Sequence, residues 1–307
     1  NNALPNHGFE TVTSDLKLLA IEDSFLELAA IKKILDLSKS TNEYLKFLKK
    51  FKEYYPELFQ KSAEIEFTPF ITKSIEEIVN KYGEIKDDAS PDLVNIRRSI
   101  NVVRGKINQS FGMALSHFNS LGYLDDIKET VVDNRRVLAV QAMYRKKVKG
   151  SILGNSKTGS IAYIEPETTL TYSRELNNLE FEEREEIMRI LRVLSATIRP
   201  YANLIAQYQD FLSDIDVIAA KAKYANRING ILPKINDEKR LFFREAFHPI
   251  LLLNNKAENK PTFPQTIELE SNNRIIVISG PNAGRKTISL KTIDFLHFMS
   301  QAAMLIP

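Results

Sequence analysis

The residues with the most chemical promise lie near the C-terminal end. A β-branched apolar run, Ile275-Ile276-Val277-Ile278, leads into Gly280-Pro281-Asn282-Ala283-Gly284-Arg285-Lys286-Thr287, and an apolar-periodic segment follows. That order reads as strand, loop, helix. Backbone N–H groups of such a loop curl round an anion, and the helix N-terminus adds its partial positive charge. At this spacing Lys286 is placed to reach the outer phosphates of a nucleotide, and the Thr287 hydroxyl to hold Mg²⁺. One position departs from the pattern. It asks for glycine just before the lysine, and Arg285 stands there. Glycine admits positive φ and leaves room beside the phosphates, whereas arginine brings a Cβ and a long side chain. The turn is therefore expected to be strained or rearranged. An ordinary strand–turn–helix with a lysine at the helix start is the plainer alternative; the spacing favours the phosphate loop.

A second set of residues is notable for its charge. From Arg135 to Ile164 the chain holds Arg135, Arg136, Arg145, Lys146, Lys147, Lys149 and Lys157, with no Asp or Glu. The segments Val131 to Gln141 and Gly150 to Ile164 are rich in β-formers, with turn signals at Asp133-Asn134, Gly154-Asn155-Ser156 and Thr158-Gly159-Ser160. A small antiparallel sheet is expected. A basic β tip suits a phosphate backbone. A solvated sheet edge kept from aggregating by lysine would look the same in sequence. Nothing here signals base reading.

Two long helical rods must carry that tip. One begins at Ser90-Pro91, an N-cap followed by proline at the first helical position, and keeps an apolar face through Leu93, Ile96, Ile100, Val103, Ile107, Phe111, Leu115 and Phe118. The other runs from about Thr168 to Ile198, with a wide charged face and a narrow apolar seam. Before the rods, Asp15 to Phe51 carries a helical stripe through Leu18, Ile21, Phe25, Leu28, Ile31, Ile34, Leu35, Tyr44, Leu45 and Leu48, and Phe67 to Tyr82 is similar. After them, Tyr201 to Asn229 reads as helix ending at Gly230, a natural left-handed cap. Leu241 to Arg244 and Thr266 to Glu270 read as strands, with a polar loop from Asn254 to Pro264. Tyr224, Phe247 and His248 could offer a base a stacking surface; a histidine beside a proline is also a common turn residue.

Composition bounds the rest. At 307 residues the chain is long for one core. Without cysteine it has no disulfide framework, thiolate metal site or cysteine nucleophile, which fits a reducing cytoplasm. No apolar run approaches a membrane span. The net charge of +3 is too small to argue for nucleic acid by itself. The chain starts at Asn1 and stops at Pro307, soon after the expected phosphate-loop helix, and so reads as a piece of a longer protein.

In their order, these segments resemble the MutS family, most of all its type-two bacterial branch, which lacks the mismatch-reading N-terminal domains. The resemblance rests on Gly159-Ser160-Ile161-Ala162-Tyr163-Ile164-Glu165-Pro166, Arg189 to Leu194, Ala219 to Ala225, Phe247-His248-Pro249-Ile250-Leu251, and Ile278 to Gly284 with Lys286-Thr287. It covers essentially the whole chain. It implies a mainly α fold with an α/β C-terminal part: a long antiparallel helical lever pair carrying a small β clamp, followed by a truncated P-loop ATPase domain. The implied boundaries are a helical core over 1–90, levers over 91–200 with the clamp near 129–165, returning core helices over 201–235, and the N-terminal part of the ATPase domain over 236–307.

By the same resemblance, ATP and Mg²⁺ are the expected cofactors. Lys286 and Thr287 would serve the phosphates and Mg²⁺, Asn282 the phosphate region, and the segment round His248 the base side of the nucleotide. Family members are cytoplasmic homodimers that close round DNA and couple ATP binding to lever movement. The branch is linked to branched DNA and control of recombination, and some members to splitting collided ribosomes. Often a C-terminal nuclease domain follows, and none is in this sequence. Mismatch repair or recombination control on branched or mismatched DNA is the leading expectation. A ribosome-directed ATPase, or a degenerate scaffold whose Arg285 has ended nucleotide use, are the alternatives. The chain ends before any acidic strand that could complete a Mg²⁺ site, so by itself it is not expected to turn over ATP.

Overall fold

The computed structural model describes residues 4–6, 8–279 and 285–307. It divides into two compact units, Asn1–Gln209 and Asp210–Pro307.

The first unit opens with a helical core made of α1 (Thr13–Leu19), α2 (Leu28–Lys50), α3 (Pro56–Ser62) and α4 (Phe70–Ile78). Ile31, Ile34, Leu35, Tyr44, Leu45 and Leu48 form the buried face of α2, as their spacing predicts. The stripe does not extend back through Leu18 and Ile21. The chain breaks there, with Asp23 at φ 59°, and both side chains are exposed. Polar groups distant in sequence hold this break. Arg199 donates to the carbonyls of Leu19 at 2.8 Å and Ser24 at 2.7 Å, and the Ser195 hydroxyl accepts from the Leu26 N–H at 2.9 Å. Helical periodicity continues through the break in sequence, but these contacts satisfy its backbone without helix.

The two long rods are α5 (Pro91–Ser120) and, after the sheet, α6 (Glu167–Ile198). Ser90 caps α5 as expected, its hydroxyl accepting from the Leu93 N–H at 3.0 Å. At 1.5 Å per residue, each rod is about 45 Å long. They run antiparallel. Ser90 meets Glu186, Arg97 meets Glu183 at 2.7 Å, Arg104 meets Glu180 at 3.1 Å, and Ser110 meets Thr169 at 3.5 Å. Glu186 is buried, and the Arg189 guanidinium, with the Ser90 hydroxyl, holds its carboxyl below the usual carboxylate range. Thin apolar seam and polar rungs together explain why the sequence of α6 looked so solvent-facing.

Between the rods in sequence lie β1 (Leu124–Val132), β2 (Arg135–Gln141), β3 (Gly150–Asn155) and β4 (Ile161–Pro166), in the antiparallel order β1-β2-β4-β3. Strand β1 begins earlier than its sequence suggests, because Leu124 to Thr130 is charged and sits at an edge with a bulge after Leu124. Asp133 and Asn134 both take positive φ, as a tight hairpin requires. Leu124, Leu138, Val140, Ala162 and Ile164 pack with Val148 round Phe111 of α5. The sheet is thus bolted to the last third of α5. Gly150 is required by close approach, since a Cβ there would lie 2.0 Å from the carbonyl oxygen of Glu165.

Helix α7 (Ala202–Ile228) carries the chain into the second unit, which holds β5 (Leu241–Ala246), α8 (Pro249–Ala257), β6 (Gln265–Leu269) and α9 (Arg285–Gln301). Strands β5 and β6 pair antiparallel. Ile228, Phe243, Ala246, Leu296, Met299 and Ile306 form its core. Three expectations change here. Asn229, not Gly230, takes the left-handed cap at φ 53°, and Gly230 instead makes room for Leu305, whose Cβ would be 3.0 Å from an added Cβ. The polar loop expected from Asn254 starts only after Ala257, because α8 runs on from Pro249, which fits the first helical position, with His248 capping it. Residues 274–279 form no strand, and Ile275 and Val277 are 78% and 85% exposed. A strand exists through its partners, and no other described strand pairs with this segment. None of the described helices is long and apolar enough to cross a membrane.

Candidate functional site

Strand register decides where the seven cations lie. Leu124 pairs with Val140, Gln141 with Ile161, and Asn155 with Ala162. The α5–β1 turn, the start of the β2–β3 connection and the β3–β4 turn therefore gather at one end of the sheet. Helix α5 delivers the chain to that end, while α6 leaves from the opposite one, where Gly150 pairs with Pro166. Since Ser110 already meets Thr169 near the start of α6, the rest of α5 runs on beyond its partner. The gathered turns are the distal tip of the helix pair.

Arg145, Lys146 and Lys147 lie on the β2–β3 connection and Lys157 on the β3–β4 turn, all exposed. No described carboxylate comes within ion-pair range of them. The connection is braced. The Ala142 N–H donates to the Ser160 carbonyl at 2.9 Å, the Lys147 N–H donates to the Tyr144 carbonyl at 2.8 Å, and Val148 is buried. Tyr144 stacks on Tyr123 with centroids 4.6 Å apart, and the Lys147 ammonium lies 5.4 and 5.5 Å from the two ring centroids. These aromatics support the turn. Lys149 is exposed but sits on the return leg, its carbonyl accepting from the Glu167 N–H at 3.0 Å.

Arg135 and Arg136 do something else. Both start β2, at the lever end of the sheet. Arg135 pairs at 3.1 Å with Glu165, which is 1% exposed and also accepts from the Ser173 hydroxyl of α6. Arg136 pairs with Glu129 at 2.6 Å, donates to Asn108 at 3.2 Å and lies over the Phe111 ring at 4.3 Å. Compensating carboxylates thus exist after all, at 129 and 165, just outside the acid-free window of the sequence. Sequence separation hid them; pairing across β1–β2 and β2–β4 brings them in. Of the seven cations, the structure gathers four at the tip, sets one on the return leg, and spends two within the sheet and on joining it to the helices.

In the second unit, α9 begins at Arg285 and places Lys286 and Thr287 in its first turn, as the loop–helix order predicts. Gly280, Pro281, Asn282, Ala283 and Gly284 lie outside the described residues, as does the Arg285 side chain. His248 caps α8, its Nδ1 accepting from the Leu251 N–H at 3.3 Å, so the ring proton is on Nε2. Burial lowers its basicity, and the Lys291 ammonium acts in the same direction. Its ring lies 5.7 Å from that of Phe295. His248 is therefore packed against the same helix as Lys286 and Thr287, about 12 Å further along its axis from Thr287. A helix start with an ammonium and a hydroxyl fits an anion. Among the described residues no group of three or more His, Asp or Glu could hold a metal ion.

Comparison with known proteins follows the same line. The chain is 30% identical over 306 residues to a protein named Endonuclease MutS2 from Geobacillus sp. (strain WCH70), covering 99% of this chain and 38% of that one. It is 32% identical over 306 residues to the protein of that name from Ligilactobacillus salivarius (strain UCC118), with the same coverage. It is 32% identical over 302 residues to that from Agathobacter rectalis, covering 98% of this chain and 37% of the relative. The chain thus spans under two-fifths of the length of the curated relatives it matches. No protein-family model matches it. Similarity of this extent, over nearly every residue, supports the resemblance to the MutS family.

Proposed function

We propose that this chain is the core, lever and clamp, with the opening of the ATPase domain, of a MutS-like ATP-dependent DNA-binding protein of the type-two kind. The observation that carries the reading is the distal tip. Four exposed cations without carboxylate partners among the described residues stand at the end of a lever about 45 Å long, in a chain similar along its whole length to proteins named Endonuclease MutS2. Such a tip binds through phosphates, independently of sequence, and orients the duplex rather than reading it. The levers carry the clamp towards or away from a duplex, and the pairing of Glu165 with Arg135 and Ser173 makes sheet and lever move as one. Branched or mismatched DNA is the proposed substrate, in mismatch repair or recombination control, with a homodimer as the working form.

The test is a titration of linear and three-way-junction duplexes with the purified chain at several salt concentrations. Binding should weaken linearly in log–log form, with a slope of about −3 to −4 if all four tip cations contact phosphate. A flat salt response would sink the reading. Cosedimentation with ribosomes, with no preference for branched DNA, would transfer the same cations to ribosomal RNA.

Nucleotide binding is part of the proposal. Lys286 and Thr287 would hold ATP phosphates and Mg²⁺ at the start of α9, with Gly280 to Gly284 as the cradle and His248 on the base side. Bound ATP would supply the energy that moves the levers; the residues of this chain hold and orient it. Arg285 bears directly on that cradle. In the full-length protein, Arg285→Gly is expected to tighten Mg-ATP binding by about tenfold, because glycine relieves the turn. Calorimetry decides this: equal affinities would mean that the loop accommodates arginine, and binding by neither form would make the protein a nucleotide-free scaffold.

A further inference from the structure

A second basic site lies in the helical core, at the turn between α4 and α5. Val79 and Ile85 pair across this turn. The Asn80 side chain builds it. Its Oδ1 accepts from the N–H groups of Tyr82 at 2.8 Å and Glu84 at 3.0 Å, and its Nδ2 donates to the Glu84 carboxylate at 3.2 Å. Gly83 takes φ 81°, where a side chain would be strained. Lys32 of α2 lies across it, so that a Cβ on Gly83 would stand 3.3 Å from the Lys32 ammonium. Turn and helix line an open cleft of about 400 Å³, with Lys32, Lys39, Lys81 and Lys86 on its wall beside Asp36 and Glu76. Lys39 is paired with Glu76 at 2.7 Å, and Lys81 rests over the Tyr82 ring at 5.0 Å. Among the described residues no carboxylate lies within ion-pair range of Lys32, Lys81 or Lys86. Three ammonium groups thus share one cleft, with Asp36 the carboxylate on its wall left to balance them.

We propose that this cleft binds a small, multiply charged phosphate anion, of the class of a diphosphate-bearing metabolite. Neither the duplex reading of the tip nor the nucleotide reading of α9 requires it. Like charges gathered on one wall repel, and a multivalent anion relieves that repulsion while accepting a hydrogen bond from each ammonium. Lysine meets phosphate as a point charge, without the planar match of an arginine fork. The surroundings set the size of the occupant. Glu84, Asp87 and Asp88 are exposed on the turn and just after it. A duplex backbone running on past the cleft would meet these carboxylates, whereas a small anion stays among the lysines. An occupant held by Lys32, Lys81 and Lys86 would tie α2 to the segment that leads into Ser90 and the start of α5.

The experiment titrates inorganic diphosphate, without divalent metal, into the Lys286→Ala chain, which lacks the α9 ammonium. Calorimetry in about 0.1 M salt, where charges beyond roughly 10 Å are screened, should show saturable binding at one site. Lys32→Gln with Lys86→Gln should weaken it by about tenfold, the scale of two partly exposed ion pairs. Lys49→Gln with Lys73→Gln removes the same net charge away from the cleft and should change it by less than about twofold. Bound diphosphate should also slow acylation of Lys32, Lys81 and Lys86 by an amine-reactive ester, read by peptide mass spectrometry, and leave Lys49 and Lys73 unaffected. Thermal melts establish that each variant folds. Equal weakening by both pairs would reveal a response to net charge alone and overturns the site. Absence of saturable binding overturns it as well. Loss of duplex binding in Lys32→Gln with Lys86→Gln, with no protection by diphosphate, would assign the cleft to a nucleic-acid backbone and overturn it too.

Discussion

Replacing Arg145, Lys146 and Lys147 together by glutamine is expected to weaken duplex binding by about a hundredfold near physiological salt, and to reduce the log–log salt slope by about 2.7. Each cation that neutralises a phosphate releases a condensed counterion, worth about 0.9 in the slope for duplex DNA. Three are removed, and none of them has a carboxylate partner within the described protein to compensate. The fold should be unaffected, since all three side chains are exposed and the turn is braced by backbone hydrogen bonds, the Tyr144 stack and Val148. Arg136→Gln is the informative comparison. That guanidinium is engaged by Glu129, Asn108 and the Phe111 ring, so its loss should leave the slope alone and lower stability instead. Fluorescence anisotropy across a salt series measures both. If the triple variant keeps the wild-type slope, the tip is not the phosphate-binding surface. If Arg136→Gln lowers the slope as much as a tip residue does, the division of the seven cations argued above is wrong.

Phe111→Ala should cost about 3–5 kcal/mol of unfolding free energy. The ring is fully buried where α5 meets the sheet, among Leu138, Val140, Val148, Ala162 and Ile164. Truncation leaves a cavity at the centre of the contact between α5 and the sheet, and removes the surface on which Arg136 lies at 4.3 Å. The loss should be local. The helical core built on α2 shares none of these contacts and should melt as before, so a second, earlier transition is expected in urea. Phe181→Ala, on an exposed position of α6, is the control and should cost under about 0.5 kcal/mol. A loss below 1 kcal/mol at Phe111 would show that the sheet is held by its strand pairing rather than by its bolt to the lever.

Elements specified by local rules were legible in the sequence. The start of α5 followed from Ser90 and Pro91, and its length from the spacing of apolar residues down to Phe118. The hairpin at Asp133-Asn134 followed from two residues that tolerate positive φ. The helix after the candidate phosphate loop begins where the loop pattern ends. Elements specified by distant partners were not legible. The break between α1 and α2 hides within a continuous apolar stripe, because Arg199 and Ser195, far along the chain, satisfy its backbone.

What the sequence determined by itself was the inventory: two long rods, a basic β segment between them, and a lysine and threonine at the start of a late helix. Capping, periodicity and turn chemistry act within a few residues, so the chain carries them in plain order. Only the tertiary structure decided how that inventory is used. Four cations face outward at the tip while two are consumed by Glu129 and Glu165, His248 caps a helix and lies beside Phe295, and the apolar run at 275–278 has no strand partner among the described residues. Charge pairing and strand pairing both depend on which groups meet across the fold, and that is fixed by register and packing rather than by proximity along the chain.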